Sequence, residues 1–345
     1  MELGKKIRQL RFKASLTQEQ LAEKLGVAPQ SVSKWENAVA MPDISTLPLL
    51  AEVFGVTIDD LFDLSAEQRL NRIENRLDVE DELSQDLFWE YEEFLKGCLA
   101  EESTKKRAVE LLAYLHWHRM NADAGKVRRY AQDALRAAPD EKGCQWMLAR
   151  AAGHAVWDWN VANHHKAVDF YRELAEQNPE SRLPLCWLID NLLADRRADE
   201  AEAALEKLRR LPGVNPALLE AYAAWIALAR FDEPAADRIV EAMTAAHPDR
   251  SDDLFEAAQY YAGKCDYEKA VALYEASFEK EPERPRFIDA LMAVADIREI
   301  QGDYRAAAAV WDRIVEVQRS EWGQTEEVEL KDSIRERNRL LEKAK

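Results

Sequence analysis

Residues 17–37 read TQEQLAEKLGVAPQSVSKWEN. Thr17 and Gln20 form a T-x-x-Q capping box, so a helix starts there and turns Leu21, Ala22 and Leu25 inward. Gly26 stops it. Pro29 suits the first turn of a second helix, which runs through Asn37 with Val32 and Trp35 three apart on its apolar side. Ala22 is small where two helices cross closely, Gly26 supplies the positive φ of a tight turn, and Val32 and Trp35 plug the angle between the helices. The stretch therefore reads as helix, tight turn, helix.

The flanks extend the pattern: IRQLRFKASLTQEQLA occupies residues 7–22, and PDISTLPLLAEVFGVTIDDLF occupies residues 42–62. From about Gly4 to Phe62 the chain resembles the helix-turn-helix domain of lambda-repressor-like (Cro-type, XRE family) transcription regulators. The resemblance implies a five-helix DNA-binding domain over residues 1–63. It also implies roles for particular residues. Gln18, first in the second helix, matches a position whose side chain and backbone amide meet a phosphate. Gln30, Ser31, Ser33 and Lys34 match the exposed face of the recognition helix, which enters the major groove of double-stranded DNA. Gln can pair bidentately with adenine, Lys can reach guanine, and the serines can touch bases or phosphates. The bland alternative is a solvated helix face. Arg11 and Glu36 match a structural salt bridge between the first and third helices. The segment NAVAMP, residues 37–42, departs from the family by offering no glycine or basic residue after the recognition helix. Pro48 places the start of the fourth helix near Thr46.

Charge divides the chain unevenly. The formal net charge is -18, yet residues 1–63 hold seven Lys/Arg and nine Asp/Glu, a net of -2, leaving -16 downstream. Lys5, Lys6, Arg8, Arg11 and Lys13 crowd one candidate helix and keep a local positive field. A chain of 345 residues with 47% hydrophobic content exceeds one ordinary core, so two or more units are expected. The opening MELGKKIRQLRF lacks the apolar region of a signal peptide, and no long uncharged apolar run occurs. The expectation is a cytoplasmic protein with no membrane partner.

Residues 64–100 read as a helical connector, in which Leu70, Ile73 and Leu77 make a narrow stripe suited either to the next domain or to a dimer seam. Beyond it a small residue recurs at Val127, Ala167, Ala201, Ala236, Ala270 and Ala307, at intervals of 40, 34, 35, 34 and 37. Prolines keep step at 139, 179, 212, 248 and 282. Here the chain resembles tetratricopeptide (TPR) repeats, clearest where Leu254, Ala258, Tyr261, Ala270, Tyr274, Ser277 and Pro282 fall at the signature offsets. GKVRRYAQDALRAAP, from Gly125, and GDYRAAAAVWDRIVEV, from Gly302, each read as the start of a second helix. The fold class is all-α: the five-helix domain, then a TPR-like α-solenoid over residues 101–345, closed by a capping helix at roughly 325–343 with Leu330, Ile334 and Leu341 as its stripe. Dimerisation is the rival reading for that last helix.

Such a solenoid presents a concave groove for a peptide or protein segment. The irregular segment GHAVWDWNVANHHKAV, residues 153–168, supplies Trp157, Trp159, Asn160 and Asn163 as candidate ligand contacts, since Asn grips peptide backbones and indoles make pockets. The corner position favours the plainer reading, indoles packed between helices. His164 and His165 are adjacent, and His116 and His118 are two apart, so neither pair has helical zinc spacing. Cysteines at 98, 144, 186 and 265 form no metal knuckle, and the eleven glycines never approach closer than ten residues, which rules out a glycine-rich phosphate loop. No cofactor, metal or catalytic constellation is expected, and the Asp59–Asp60 pair reads as solvent-exposed. The two modules together resemble the quorum-peptide-responsive bacterial regulators. That implies a dimeric, sequence-specific transcription regulator whose solenoid senses a peptide, small ligand or protein. The alternative is a scaffold whose helix-turn-helix docks a protein instead of DNA.

Overall fold

Thr17 caps the first helix of the turn as its sequence requires, accepting from the Gln20 backbone while the Gln20 side chain accepts from the Thr17 N–H (2.8 Å). The computed structural model describes residues 2–62, 65–327 and 329–345. All of the regular structure among them is helical. The first five helices are α1 (Glu2–Lys13), α2 (Gln18–Leu25), α3 (Pro29–Glu36), α4 (Leu47–Phe54) and α5 (Ile58–Leu61). Gly26 ends α2 at φ 67°, Pro29 opens α3, and a short 3-10 turn over Ile44–Thr46 leads into α4, with Pro48 in its first turn. Leu21, Ala22, Leu25, Val32 and Trp35 are buried together with Ile7 and Leu50.

Two features hold α1 against α3. Gly4 is buried so close to the end of α3 that a Cβ there would overlap the Trp35 carbonyl oxygen. Beside it Arg11 and Glu36, only 6% and 7% exposed, make a bidentate pair: Nε donates to Oε1 (2.6 Å) and Nη2 to Oε2 (2.8 Å). Arg11 also donates to the Leu16 carbonyl (2.9 Å), and Gln18 donates to Glu36 Oε2 (2.7 Å). One carboxylate thus joins α1, α2 and α3. Burial acts to raise the Glu36 pKa, but hydrogen bonds from Arg11 and Gln18 outweigh it and hold the carboxyl below its ordinary 4.5.

The described residues divide into two compact units, Met1–His154 and Ala155–Lys345. The expected boundary after residue 63 falls at residues 63 and 64, which lie outside the described residues, as do the side chains of Asp59 and Asp60. Within the first unit, α6 (Ala66–Val79), α7 (Gln85–Cys98) and α8 (Glu102–Ala137) share a core in which Leu70, Ile73 and Leu77 meet Phe88, Tyr91, Leu95, Leu111 and Leu115. The connector stripe is therefore spent inside this unit and is not a free dimer seam. A second helix starting at Gly125 does not exist: α8 runs through Gly125 without a break and leads to α9 (Lys142–Ala152). One interior glycine costs only about 1 kcal/mol, which the continuous ladder of a 36-residue helix absorbs.

The second unit is built of helical hairpins. After the single turn α10 (Trp159–Ala162) come α11 (His165–Gln177), α12 (Leu183–Ala194), α13 (Ala198–Leu208), α14 (Pro216–Ala229), α15 (Glu233–Ala246), α16 (Ser251–Gly263), α17 (Tyr267–Lys280), α18 (Asp289–Ile300), α19 (Tyr304–Ser320) and α20 (Lys331–Lys343). Each packs on the next, and α14 also touches α12 and α16, which puts these three first helices side by side. Ala201, Ala236, Ala270 and Ala307 are fully buried at the helix crossings, as their spacing requires, whereas Val127 in α8 is 37% exposed. The corners repeat as well: Arg196, Phe231, Cys265 and Gly302 all take a left-handed φ of 57–78°, and Asp232, Asp266 and Asp303 cap the helices that follow the last three. The capping helix starts later than expected, and its inward residues are Leu330, Ser333 and Leu340, with Leu341 exposed.

These contacts set four outcomes for stability. Gly4→Ala should destabilise the first domain by about 2 kcal/mol through overpacking, read as faster amide exchange in α1 and α3; unchanged protection would mean that the crossing relaxes freely. Glu36→Ala strands a buried guanidinium and should cost about 3 kcal/mol. Because the folded Glu36 pKa is lowered, its stabilisation is full above the ordinary carboxylate range and is lost as pH falls through the folded value. The acid limb of the wild-type unfolding curve in α1–α3 should therefore flatten in Glu36→Gln. Cys265→Gly relieves a left-handed φ of 60° and should stabilise the second unit by about 1 kcal/mol in denaturant melts; a loss of stability would assign the corner to its side chain.

Candidate DNA-binding face and sensor groove

The eight residues of α3 separate cleanly into two faces. Val32, Trp35 and Glu36 point inward, and on the other side Gln30 and Lys34 are exposed while Ser31 and Ser33 are half-buried. Gln30 and Lys34 are one turn apart, and neither side chain has a hydrogen-bond or ion-pair partner among the described residues. Asn37 extends the row and donates to the Ser33 carbonyl (2.9 Å). Gln18 sits apart from this row, half-buried, with its amide donor committed to Glu36. Any anion it meets is left with its backbone N–H at the start of α2, where the helix dipole favours negative charge.

The loop after α3 is apolar and carries no cation. Ala38 takes φ 57°, doing without the glycine that this conformation favours. Val39 and Ile44 are 73% and 82% exposed, and Met41 is exposed beside them. This gives an apolar rim next to the polar row. On α1, Arg8 and Arg11 both lie over the ring of exposed Phe12, at 5.7 and 4.5 Å from its centroid.

In the second unit, two cavities open along the first helices. One, of about 430 Å³, lies between Asp190 and Leu193 of α12, Tyr222 and Trp225 of α14, and Glu256 of α16. The other, of about 340 Å³, shares Glu256 and extends past Phe255 to Phe278 and the start of α18. Burial, then the nearby Asp252 and Asp190 carboxylates, push Glu256 up to about 7. Burial also raises Asp190, although the Tyr222 hydroxyl donates to it (2.9 Å) and works the other way. Glu256 itself has no hydrogen-bond or ion-pair partner among the described residues.

The segment around α10 does not pack between helices: Trp157 is 97% and Trp159 66% exposed, and Asn160 is exposed as well. The physical reason lies in its polar neighbours. Asn163 donates to the Trp159 carbonyl (2.5 Å), and the Asp195 carboxylate accepts from the His164 backbone N–H (3.0 Å) and contacts His164 Nδ1 (2.7 Å), so the turn is closed by hydrogen bonds and needs no buried indole. None of Trp157, Trp159, Asn160 and Asn163 lines the two groove cavities. Sequence reasoning passed over Asp190, Tyr222 and Glu256. The available signal was an acid set among apolar neighbours, as Glu256 is between Phe255 and Ala257 in a first helix.

Comparison with known proteins bears on the amino-terminal part. A helix-turn-helix family model matches residues 6–61. The chain is similar to the HTH-type transcriptional activator BcrR of Enterococcus faecalis, with 45% identity over 78 residues that make up 22% of this chain and 37% of that protein. It is also similar to the HTH-type transcriptional regulator ImmR of Bacillus subtilis, with 38% identity over 61 residues, 18% of this chain and 48% of that one. The chain thus spans less than half the length of either relative. Among solved structures it aligns over 98% of its length with 97% of the apo competence regulator ComR of Streptococcus vestibularis, at 13% identity and a TM-score of 0.25. It aligns over 99% of its length with 94% of Bacillus thuringiensis PlcR in complex with the peptide PapR7 and DNA, at 14% identity and a TM-score of 0.19. TM-scores this low establish no shared three-dimensional arrangement. The capping box, the left-handed Gly26, the buried Arg11–Glu36 pair and the family match together make residues 6–61 a helix-turn-helix domain.

Proposed function

We propose that this chain is a non-enzymatic, cytoplasmic transcription regulator that binds double-stranded DNA through α3 as a homodimer and senses a peptide through the groove of its second unit. The observation that carries the reading is the pair Gln30 and Lys34, exposed and uncommitted on a helix whose inner face is tied down by Glu36. Gln30 and Lys34 read base edges, Ser31 and Ser33 touch bases or backbone, and the Gln18 backbone amide meets a phosphate. The names of BcrR and ImmR, both transcriptional regulators, support this reading for the matched domain. One small domain with few cationic contacts binds weakly, so a two-fold dimer engaging half-sites ~34 Å apart supplies the missing affinity. The downstream charge of -16 repels the duplex and confines contact to the amino-terminal domain, which suppresses non-specific binding.

The exposed Val39, Met41 and Ile44 favour a second reading, in which this domain docks a protein through its apolar rim. Selection of bound duplexes from random DNA with the full chain separates the two. An enriched palindromic sequence is expected. Lys34→Ala should abolish its retention in a mobility shift with circular dichroism unchanged. Gln30→Ala should relax the preference at one base position. No enrichment, or full retention by the double variant, would sink the DNA reading.

A further inference from the structure

Several acidic residues of the second unit outside its groove are matched by arginines. Arg230 donates to Asp199 and Glu202 (2.9 and 2.8 Å), Arg339 to both oxygens of Glu299, and Arg313 pairs with Glu275 (2.5 Å). The groove holds no such pair. Neither of its two cavities is lined by a Lys, Arg or His. The arginines around the second cavity are committed elsewhere: Arg286 and Arg313 stack on Phe278 and pair with Glu321 and Glu275, Arg284 donates to the Glu281 carbonyl (2.6 Å), and Arg250 pairs with Asp253 (3.0 Å) while reaching the Asn215 side-chain oxygen (3.4 Å). Asp252 is met by the Asn215 amide (2.8 Å) and Asp190 by the Tyr222 hydroxyl, so both are solvated by neutral donors, and Glu256, which lines both cavities, has no hydrogen-bond or ion-pair partner among the described residues.

A fold gains nothing from this arrangement. Carboxylates brought together under partial burial cost free energy unless a cation or donors meet them. Burial and the neighbouring acids push Glu256 up to about 7, which is the signature of a carboxylate whose counter-charge is absent. Around it the walls are aromatic: Trp225 packs edge-on to Tyr260 (5.8 Å), and Phe255 edge-on to Tyr274 (5.4 Å). Gly263 lets the Trp225 ring lie flush against α16, since a Cβ there would strike the indole. The groove is thus an aromatic trough with negative charge at its middle.

We infer that this groove takes an extended peptide carrying one Lys or Arg flanked by apolar or aromatic residues, with the cationic group docked on Glu256 and Asp190 and the flanking side chains against Trp225 and Phe255. The inference rests on the reading of the second unit as a sensor. Charge complementarity selects this occupant over an acidic or purely apolar segment, because only a cation supplies what the carboxylates lack, and an aromatic wall further favours a guanidinium or ammonium.

The test uses the full chain and a displayed library of random heptapeptides, followed by calorimetry on synthetic copies of the peptides retained. Lys or Arg should be enriched at one position. Glu256→Gln should weaken binding about tenfold, replacing the peptide's basic residue by methionine should do the same, and the two changes together should cost little more than either alone. The peptide-side substitution keeps the test valid whatever Glu256→Gln does to folding, and melting of that variant should occur no lower than in wild type. Retained peptides that are neutral or acidic, or basic peptides whose affinity ignores both Glu256→Gln and Asp190→Asn, would overturn the cationic assignment and leave peptide sensing standing. A library from which nothing is retained would overturn both.

Discussion

A single buried carboxylate holds the amino-terminal domain in its working shape. Glu36 receives Arg11 from α1 and Gln18 from α2 while sitting at the last position of α3. Helices of eight residues are marginal in isolation, and α3 has no side-chain cap at its start, so its geometry must come from what it touches. Removing water from an ion pair costs several kcal/mol per ion, and only a fully bonded arrangement offsets that. The bidentate guanidinium, the Gln18 amide and the Leu16 carbonyl complete the bonding. Gly4 then allows the backbones of α1 and α3 to approach. With its inner face so occupied, α3 can leave Gln30 and Lys34 uncommitted outside.

The second unit solves a different problem with a different device. Its helices are longer but must pack on two neighbours, and fully buried alanines at 201, 236, 270 and 307 set the closeness of each crossing. The left-handed corner recurs at Arg196, Phe231, Cys265 and Gly302 although only the last is glycine, so packing of the hairpins overrides the local penalty at the other three. Placing α12, α14 and α16 side by side creates one face that the stack does not consume. The carboxylates on that face are treated differently from those outside, which is why the groove has a chemical character and is more than a gap between helices.

Local signals were legible wherever a residue's role depends on its immediate neighbours. The Thr17–Gln20 box, the Gly26 turn and the Pro29 start stand as their residues require, because capping and φ preference act within one turn. The small-residue period carried the hairpins from Ala201 to Ala307, because a helix crossing demands smallness whatever surrounds it. The same period misled at Val127, where α8 passes straight through Gly125. Nothing in the residues around a mid-helix glycine says whether a partner waits to receive a bend. Trp157 and Trp159 misled in the opposite sense, since bulk predicts burial only if a cavity exists to receive it.

The amino-acid sequence alone determined the all-helical class, the helix-turn-helix and the hairpin repeat, which follow from spacing and local backbone preference, and it offered the exposed row on α3 through its resemblance to a known family. Only the tertiary structure decided that Gln18 turns its amide inward to Glu36, that the Leu70–Leu77 stripe is consumed within the first unit, and that Asp190 and Glu256, 66 residues apart, line one groove. The reason is physical. A side chain's partner across helices depends on crossing angles and distances that no run of neighbouring residues specifies, and a carboxylate looks the same in sequence whether solvent, an arginine or an empty groove will face it.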